Sequence, residues 1–211
     1  MSEAPIVTVV DDDDQVRESL AALIQSMDLD VECYASGRDF LDHYTEQRPG
    51  CVVLDLRMPQ LSGMDVIDEL AARKFKVPII MITGHGDIPA AVTAMKAGAV
   101  DFFEKPYRGA ALLDSVRRAV EVDSRRRDSL AKHSDLVARY ETLTPDEKDV
   151  LRLTLDGKPD KAIALKLDLS LRTIQLRRAS VMRKMEAHSR AELIRLAQQL
   201  QTDQERQEAV K

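Results

Sequence analysis

A short run of apolar residues in the first third of the chain ends in an aspartate. The run Cys51-Val52-Val53-Leu54 is typical of a strand buried in a parallel sheet, and Asp55 stands where that strand ends. Pro59 follows closely, so the chain must leave the sheet at this point. Because a buried aspartate is costly unless it is paired, its position indicates a nucleophile or a metal ligand.

Four further apolar runs with strand character occur in the same half of the chain, separated by segments with helical periodicity. They are residues 6–10, 31–34, 78–83 and 100–103. Strands that alternate with helices predict an open parallel sheet covered by helices on both faces.

Polar residues stand at or just beyond the carboxyl ends of four of the five predicted strands. They are Asp11, Asp12, Asp55, Thr83 and Lys105. Carboxyl ends of parallel strands meet at the edge of the sheet where such folds bind ligands. Three carboxylates in one place repel one another, so a hard divalent cation such as Mg²⁺ is their natural neutraliser. Asp55 is then free to attack phosphorus, with Lys105 as a point charge and Thr83 as a hydroxyl donor.

Four motifs stand in order along this half of the chain. They are Val10-Asp11-Asp12, Asp55-Leu56-Arg57-Met58-Pro59, Thr83-Gly84-His85-Gly86 and Lys105-Pro106. Together they resemble the receiver domain of two-component response regulators. The segments 82–87 and 94–99 resemble the FixJ type in particular.

This resemblance implies a doubly wound, flavodoxin-like sheet of five parallel strands, and it implies roles for individual residues. Asp55 accepts phosphate from a sensor histidine kinase. Asp12, Asp55 and the backbone carbonyl of Arg57 hold Mg²⁺, with Asp11 nearby. Phe102 is a switch residue that swings inward as the threonine follows the phosphoryl group. By the same resemblance, we expect a cis peptide bond at Lys105-Pro106.

Each of these residues also has an ordinary structural explanation. The acids after the first strand are favourable at a helix start, and this is our interpretation of Asp13 and Asp14. Thr83 alone would be read as a turn cap, Lys105 as a surface lysine and Phe102 as a core residue. Their matching places at strand ends favour the phosphorylation site.

Charge is distributed unevenly along the chain. Residues 1–122 carry 12 Lys+Arg against 21 Asp+Glu, whereas residues 123–211 carry 19 against 15. An acidic half joined to a basic half predicts two domains with different partners, the basic one with nucleic acid. We interpret residues 1–122 as the receiver domain and residues 123–140 as a linker, either helical or flexible and charged. Its triple arginine, residues 125–127, is interpreted as a solvated face.

The remaining segment, residues 141–211, has the pattern of an all-α domain of four helices with a C-terminal tail. Thr144 and Pro145 begin the first helix and Ser170 caps the third. A three-residue turn before the third helix is typical of a helix-turn-helix module. Residues 171–184 of the third helix include five basic residues and no acidic one. The alternative interpretation is a solvated basic helix face.

The order of motifs in this segment resembles the LuxR/FixJ-type helix-turn-helix DNA-binding domain. The resemblance implies a set of DNA-contacting residues: Lys161, Arg172, Thr173, Gln175, Arg177 and Arg178. Within this set, Lys161 and Arg178 are expected to contact phosphates, and Arg172, Thr173 and Gln175 to read bases. Arg177 stands where many members carry His, and Gln175 where Lys or Glu is common, so a relative's site preference cannot be transferred.

These observations predict a transcription factor, an activator, that is switched by phosphorylation of Asp55. Its expected partners are a sensor histidine kinase, double-stranded promoter DNA, RNA polymerase and, once phosphorylated, a second copy of the chain. We do not expect an enzyme, because an aspartyl phosphatase would need a carboxylate where Arg57 stands. The alternative is a phosphorylation-independent DNA-binding regulator with an inert receiver.

We expect a cytoplasmic protein without a membrane partner. The first residues show no signal-peptide pattern, and no uncharged apolar run approaches the ~20 residues of a membrane span. The two cysteines, Cys33 and Cys51, lie on predicted strands without metal-like spacing, so we expect buried thiols in a reducing compartment.

Overall fold

The computed structural model describes residues 4–46, 48–84 and 88–208, so His85 and Gly86 of the third motif lie outside the described residues. The chain divides into two compact units, Met1–Asp128 and Ser129–Lys211. None of the helices in the described part has the length and apolar character needed to cross a bilayer.

The chain up to Glu141 alternates strands and helices. In chain order they are β1 (Ile6–Val10), α1 (Asp14–Gln25), β2 (Asp30–Tyr34), α2 (Gly37–His43), β3 (Gly50–Asp55), α3 (Gly63–Ala72), β4 (Ile79–Thr83), α4 (Ile88–Lys96), β5 (Asp101–Glu104) and α5 (Gly109–Glu141). The five strands form one sheet in the order β2-β1-β3-β4-β5, and every pair is parallel. The predicted open parallel sheet is confirmed.

Strand β3 lies at the centre of this sheet and is buried along its whole length. Val52 and Leu54 pack into one apolar core, while Cys51 and Val53 pack into a second core on the opposite face. Burial on both faces explains why the strand reads as a continuous apolar run. Gly50 begins β3 with φ +138°, and a Cβ there would lie 1.8 Å from the carbonyl oxygen of Ile6.

One cysteine differs from the expectation of buried thiols. Cys51 is buried, but Cys33 is exposed. Cys33 lies on β2, which is an edge strand and has a neighbour on one side only. The thiol at this edge is therefore not a core residue.

Helix α5 continues without a break from Gly109 to Glu141, so residues 123–140 are helical along their length. The interpretation of the triple arginine as a solvated face is wrong for two of its members. The side chains of Arg126 and Arg127 are only 23% and 25% exposed, and both bind the buried carboxylate of Asp123. Only Arg125, at 76% exposed, is largely solvated.

The Asp123 carboxylate joins α5 to the start of the central strand. It accepts hydrogen bonds from the backbone N–H of Gly50 at 2.9 Å, from Arg126 Nη2 at 2.6 Å and from Arg127 Nε at 2.5 Å. Arg127 Nη2 also donates to the carbonyl oxygens of Glu46 and Arg48. The segment before β3 is thereby held against α5.

The second unit adds four further helices after the end of α5. Among the residues that the structure describes up to 208, they are α6 (Pro145–Leu155), α7 (Asp160–Leu167), α8 (Leu171–Lys184) and α9 (Arg190–Glu208). The predicted caps are present: Thr144 and Glu147 form a capping box at α6, and Ser170 Oγ accepts from Thr173 N at α8. Asp168, in the left-handed conformation with φ 52°, ends α7 and makes the turn into α8. The all-α helix-turn-helix domain is confirmed.

Candidate functional site

Three of the residues predicted for the phosphorylation site meet at the carboxyl edge of the sheet. Lys105 Nζ lies 2.7 Å from Asp11 Oδ2 and 2.8 Å from Asp55 Oδ1. The two carboxylates are buried, with side-chain exposures of 3% and 6%, whereas the lysine side chain is 25% exposed. β1 and β3 are adjacent, which brings the acids at their ends together.

Thr83 ends β4, the strand next to β3, and is fully buried. Its carbonyl oxygen accepts a hydrogen bond from the backbone N–H of Lys105 at 2.7 Å. This bond fixes the start of the loop that carries the lysine. The Lys105-Pro106 peptide bond is cis, as expected.

The remaining residues of the predicted magnesium site, Asp12 and Arg57, each come two residues after the end of a strand, β1 and β3 respectively. Asp12 is exposed, and the backbone N–H of Arg57 donates to Asp55 Oδ2 at 2.7 Å. Among the described residues, no three His, Cys, Asp or Glu side chains are grouped as metal ligands. The predicted set needs only two carboxylates and one carbonyl. Mg²⁺ commonly binds one or two carboxylates and keeps several waters, so the oxygen donors present fit this ion.

The surroundings shift the pKa values of two of these groups. Burial raises the pKa of Asp55, and the Asp11 carboxylate raises it further, against the opposing effect of Lys105. Burial by itself lowers the pKa of Lys105, but its bonds to Asp11 and Asp55 outweigh that effect and raise it. The lysine therefore remains a cation at neutral pH.

Phe102 lies on β5, opposite Met81 of β4, and is partly buried against the core that contains Leu54. Its position fits both a core residue and a residue that changes its packing. The switch role stays a prediction.

On the second unit, α8 has a buried and an open side. Ile174, Val181 and Met185 form the buried stripe, whereas Arg172 and Gln175 are exposed. Lys161, on α7, is exposed as well. Within the described part of the chain, these three polar side chains have no hydrogen-bond or ion-pair partner.

The other three residues of the predicted DNA-contacting set are bound within their own domain. Arg177 pairs with Asp146, and Arg178 Nη1 lies 2.6 Å from Asp160 Oδ1. The Thr173 hydroxyl is 2.8 Å from that of Ser170. The structure thus separates the six residues into an open group and an internally bonded group.

Sequence reasoning missed two residues on the open side of α8. Leu176 is 63% exposed, and Arg183 is exposed without a side-chain partner in the described chain. They follow Arg172 by 4 and 11 residues, a spacing that places them on one helical face. Plotting the 3.6-residue period from the buried Ile174 would have found both.

Comparison with known sequences assigns families to both halves of the chain. Residues 7–117 match the family described as response regulator receiver domain, and residues 141–197 match bacterial regulatory proteins of the luxR family.

Relatives of similar length share both halves. The chain is 42% identical to the response regulator protein TodT of Pseudomonas putida strain F1, over 93% of this chain and 87% of that protein. It is 42% identical to the transcriptional regulatory protein FixJ of Rhizobium meliloti, over 90% and 94%.

Solved structures give the same result. The response regulator StyR matches with a TM-score of 0.88 and 38% identity, covering 93% of this chain and all of that one. Full-length FixJ from B. japonicum matches with a TM-score of 0.57 and 39% identity, covering 94% and 98%. The chain therefore belongs to the FixJ-like response regulators, transcription regulators in which a receiver domain precedes a LuxR-type DNA-binding domain.

Proposed function

We propose that phosphorylation of Asp55 by a sensor histidine kinase switches this regulator and that the phosphorylation site uses Mg²⁺. The observation that carries the proposal is the convergence of Asp11, Asp55 and Lys105 at the carboxyl edge of the sheet. A buried carboxylate beside a second acid and a cation is costly as a purely structural arrangement, and such groups cluster at functional sites.

The geometry supports Asp55 as the nucleophile. Arg57 N holds one carboxylate oxygen and Lys105 the other, so the group is oriented before the phosphoryl donor arrives. A carboxylate oxygen forms the new bond to phosphorus as the bond from phosphorus to the donor histidine nitrogen breaks. Lys105 remains positively charged and balances the charge on the phosphoryl oxygens.

Asp12, Asp55 and the carbonyl of Arg57 would hold Mg²⁺, with Asp11 nearby. When bound, the ion supplies positive charge for the phosphoryl oxygens and neutralises the acids. Thr83, at the end of the neighbouring strand, would donate to the phosphoryl group.

The process that phosphorylation would control is transcription from a promoter. Phosphorylation would shift the receiver between two packings through Thr83 and Phe102, favouring a homodimer. The paired DNA-binding domains would read half-sites about 34 Å apart, one helical turn, and contact RNA polymerase. Arg172 and Gln175 would face base edges. Lys161, Thr173, Arg177 and Arg178 would also lie near the DNA if the family pattern holds for this chain.

Two further properties belong to this proposal. The protein would work in the cytoplasm, where its kinase and promoter are. It would accept phosphate only on its own aspartate and would not be an enzyme, since Arg57 stands where an aspartyl phosphatase would need its second carboxylate.

The test is Asp55→Asn in the full chain, with Asp68→Asn as the matched control. Asp68 is an exposed acid of the same unit, on α3. We expect acetyl phosphate with Mg²⁺ to label wild type and Asp68→Asn, and EDTA to abolish that labelling. Asp55→Asn should take no label. A DNA footprint that is the same with and without acetyl phosphate would instead indicate an inert receiver.

A further inference from the structure

Three basic residues of α8 are bonded to acids at the starts of other helices. Arg178 pairs with Asp160 in the first turn of α7, and Arg177 pairs with Asp146 in the first turn of α6. Lys184 Nζ lies 2.7 Å from the Oε2 atom of Glu147, also in the first turn of α6. The basic side chains are 27–33% exposed, so each is mostly covered by protein.

The helical period explains why these residues meet acids. At about 100° per residue, Arg178 and Arg177 lie about 40° and 60° to either side of the buried Ile174. Arg172 and Arg183 lie about 160° and 180° from Ile174, on the open side. The first pair therefore flanks the stripe that packs on the rest of the domain, and the second pair faces away from it.

The acids lie in the first turns of α6 and α7, beside the positive ends of these helices. A carboxylate in the first turn of a helix is stabilised by the positive end of the helix dipole. An arginine bound to such a carboxylate is electrically balanced by it. A DNA phosphate would have to displace the carboxylate or approach close to it, so the pair adds little to the release of counterions from DNA.

We infer that Arg178 and Arg177 are positioning residues that fix α8 against α7 and α6, and that Arg172 and Arg183 present the positive charge of α8 to DNA. This inference rests on the proposed DNA-binding function and deepens it. It assigns to Arg178 a different role from the phosphate contact that the family resemblance implies. It also adds Arg183 to the residues that face phosphate.

The test compares salt dependence among single variants of the full chain. The probe is the double-stranded site that wild type selects from a random oligonucleotide library, and Kd is measured across salt concentrations. Arg172→Ala and Arg183→Ala should each reduce the slope of log K against log salt by about 0.9, one lost phosphate contact. Arg178→Ala should bind about 3- to 30-fold more weakly. The slope should be unchanged, because this substitution removes no contact between a basic residue and a DNA phosphate.

A second experiment exchanges the charges of Arg178 and Asp160 and asks whether DNA binding is restored. Arg178→Asp alone places two acids together and should weaken binding strongly. Combining it with Asp160→Arg restores the pair in reverse, and we expect Kd to return to within a few-fold of wild type.

Two results would overturn the positioning role: a slope about 0.9 lower for Arg178→Ala, or no rescue in an exchanged protein whose circular dichroism and Tm match wild type. If the exchanged protein does not fold, the salt slopes of the single variants still distinguish a positioning role for Arg178 from a phosphate contact. Failure of wild type to select any DNA site would contradict the DNA-binding function itself, which is a different outcome.

Discussion

Asp123→Ala is expected to destabilise the receiver unit by about 3 kcal/mol. The substitution removes the acceptor of the Gly50 N–H, which is buried at the start of β3. An unsatisfied buried donor costs about 1–3 kcal/mol. Arg126 and Arg127 are about a quarter exposed and reach water, so each lost ion pair counts for only about 0.5–1 kcal/mol.

The assay is urea unfolding of the full chain, followed by circular dichroism and tyrosine fluorescence. With a slope of about 2 kcal/mol/M, the midpoint of the receiver transition should fall by about 1.5 M. The matched control is Asp114→Ala on the same helix. Asp114 pairs with Arg117 at the same i,i+3 spacing, but the two side chains are 63% and 69% exposed. Its effect should stay within about 0.5 kcal/mol.

The same carboxylate makes a pH prediction. Burial alone raises the pKa of Asp123, but its bonds to Arg126, Gly50 N and Arg127 outweigh burial and lower it. A lowered pKa in the folded state stabilises the fold above the ordinary value of 3.8, and this stability is lost as pH falls through the folded value. Asp123→Asn should therefore flatten the acid limb of the stability profile. Equal midpoint shifts for Asp123→Ala and Asp114→Ala would refute the argument that burial sets the cost.

Two other substitutions test charges elsewhere in the chain. The Glu147 carboxylate is bonded to Lys184 and to Thr144 N, and these bonds overcome burial and lower its pKa to about 2. Wild type therefore loses stability as pH falls from 4.5 to about 2, and Glu147→Gln should no longer show this loss. An acid stability profile that is the same in Glu147→Gln as in wild type would contradict this prediction. Lys105→Met leaves Asp11 and Asp55 without their shared cation, so the pKa of Asp55 rises further and stability falls as pH rises. The free energies of unfolding that urea titrations give at pH 5 and pH 8 should differ by about 2 kcal/mol more than in wild type, and a pH-independent loss would contradict the shared-cation role.

Much of the fold follows from local sequence patterns. The apolar run before Asp55 is continuous because β3 is covered on both faces, and the capping residues Thr144 and Ser170 begin helices where expected. The polar residues at strand ends could also be placed near one another, because parallel strands present their carboxyl ends at one edge. Which oxygens Lys105 binds could not be read from the sequence, since that depends on how the loops after β1 and β5 approach each other.

Periodicity along one segment identifies which side of a helix or strand is apolar, and this much the sequence determined by itself. It does not reveal what lies opposite a polar residue. Arg127 looked solvated within its own helix, yet its partners include carbonyl groups 79 and 81 residues away in the chain. Arg178 looked available to DNA in an acid-free helix, yet Asp160, 18 residues earlier, binds it. Only the tertiary structure decided these roles, because an ion pair between helices depends on how the helices pack and not on the pattern of either one.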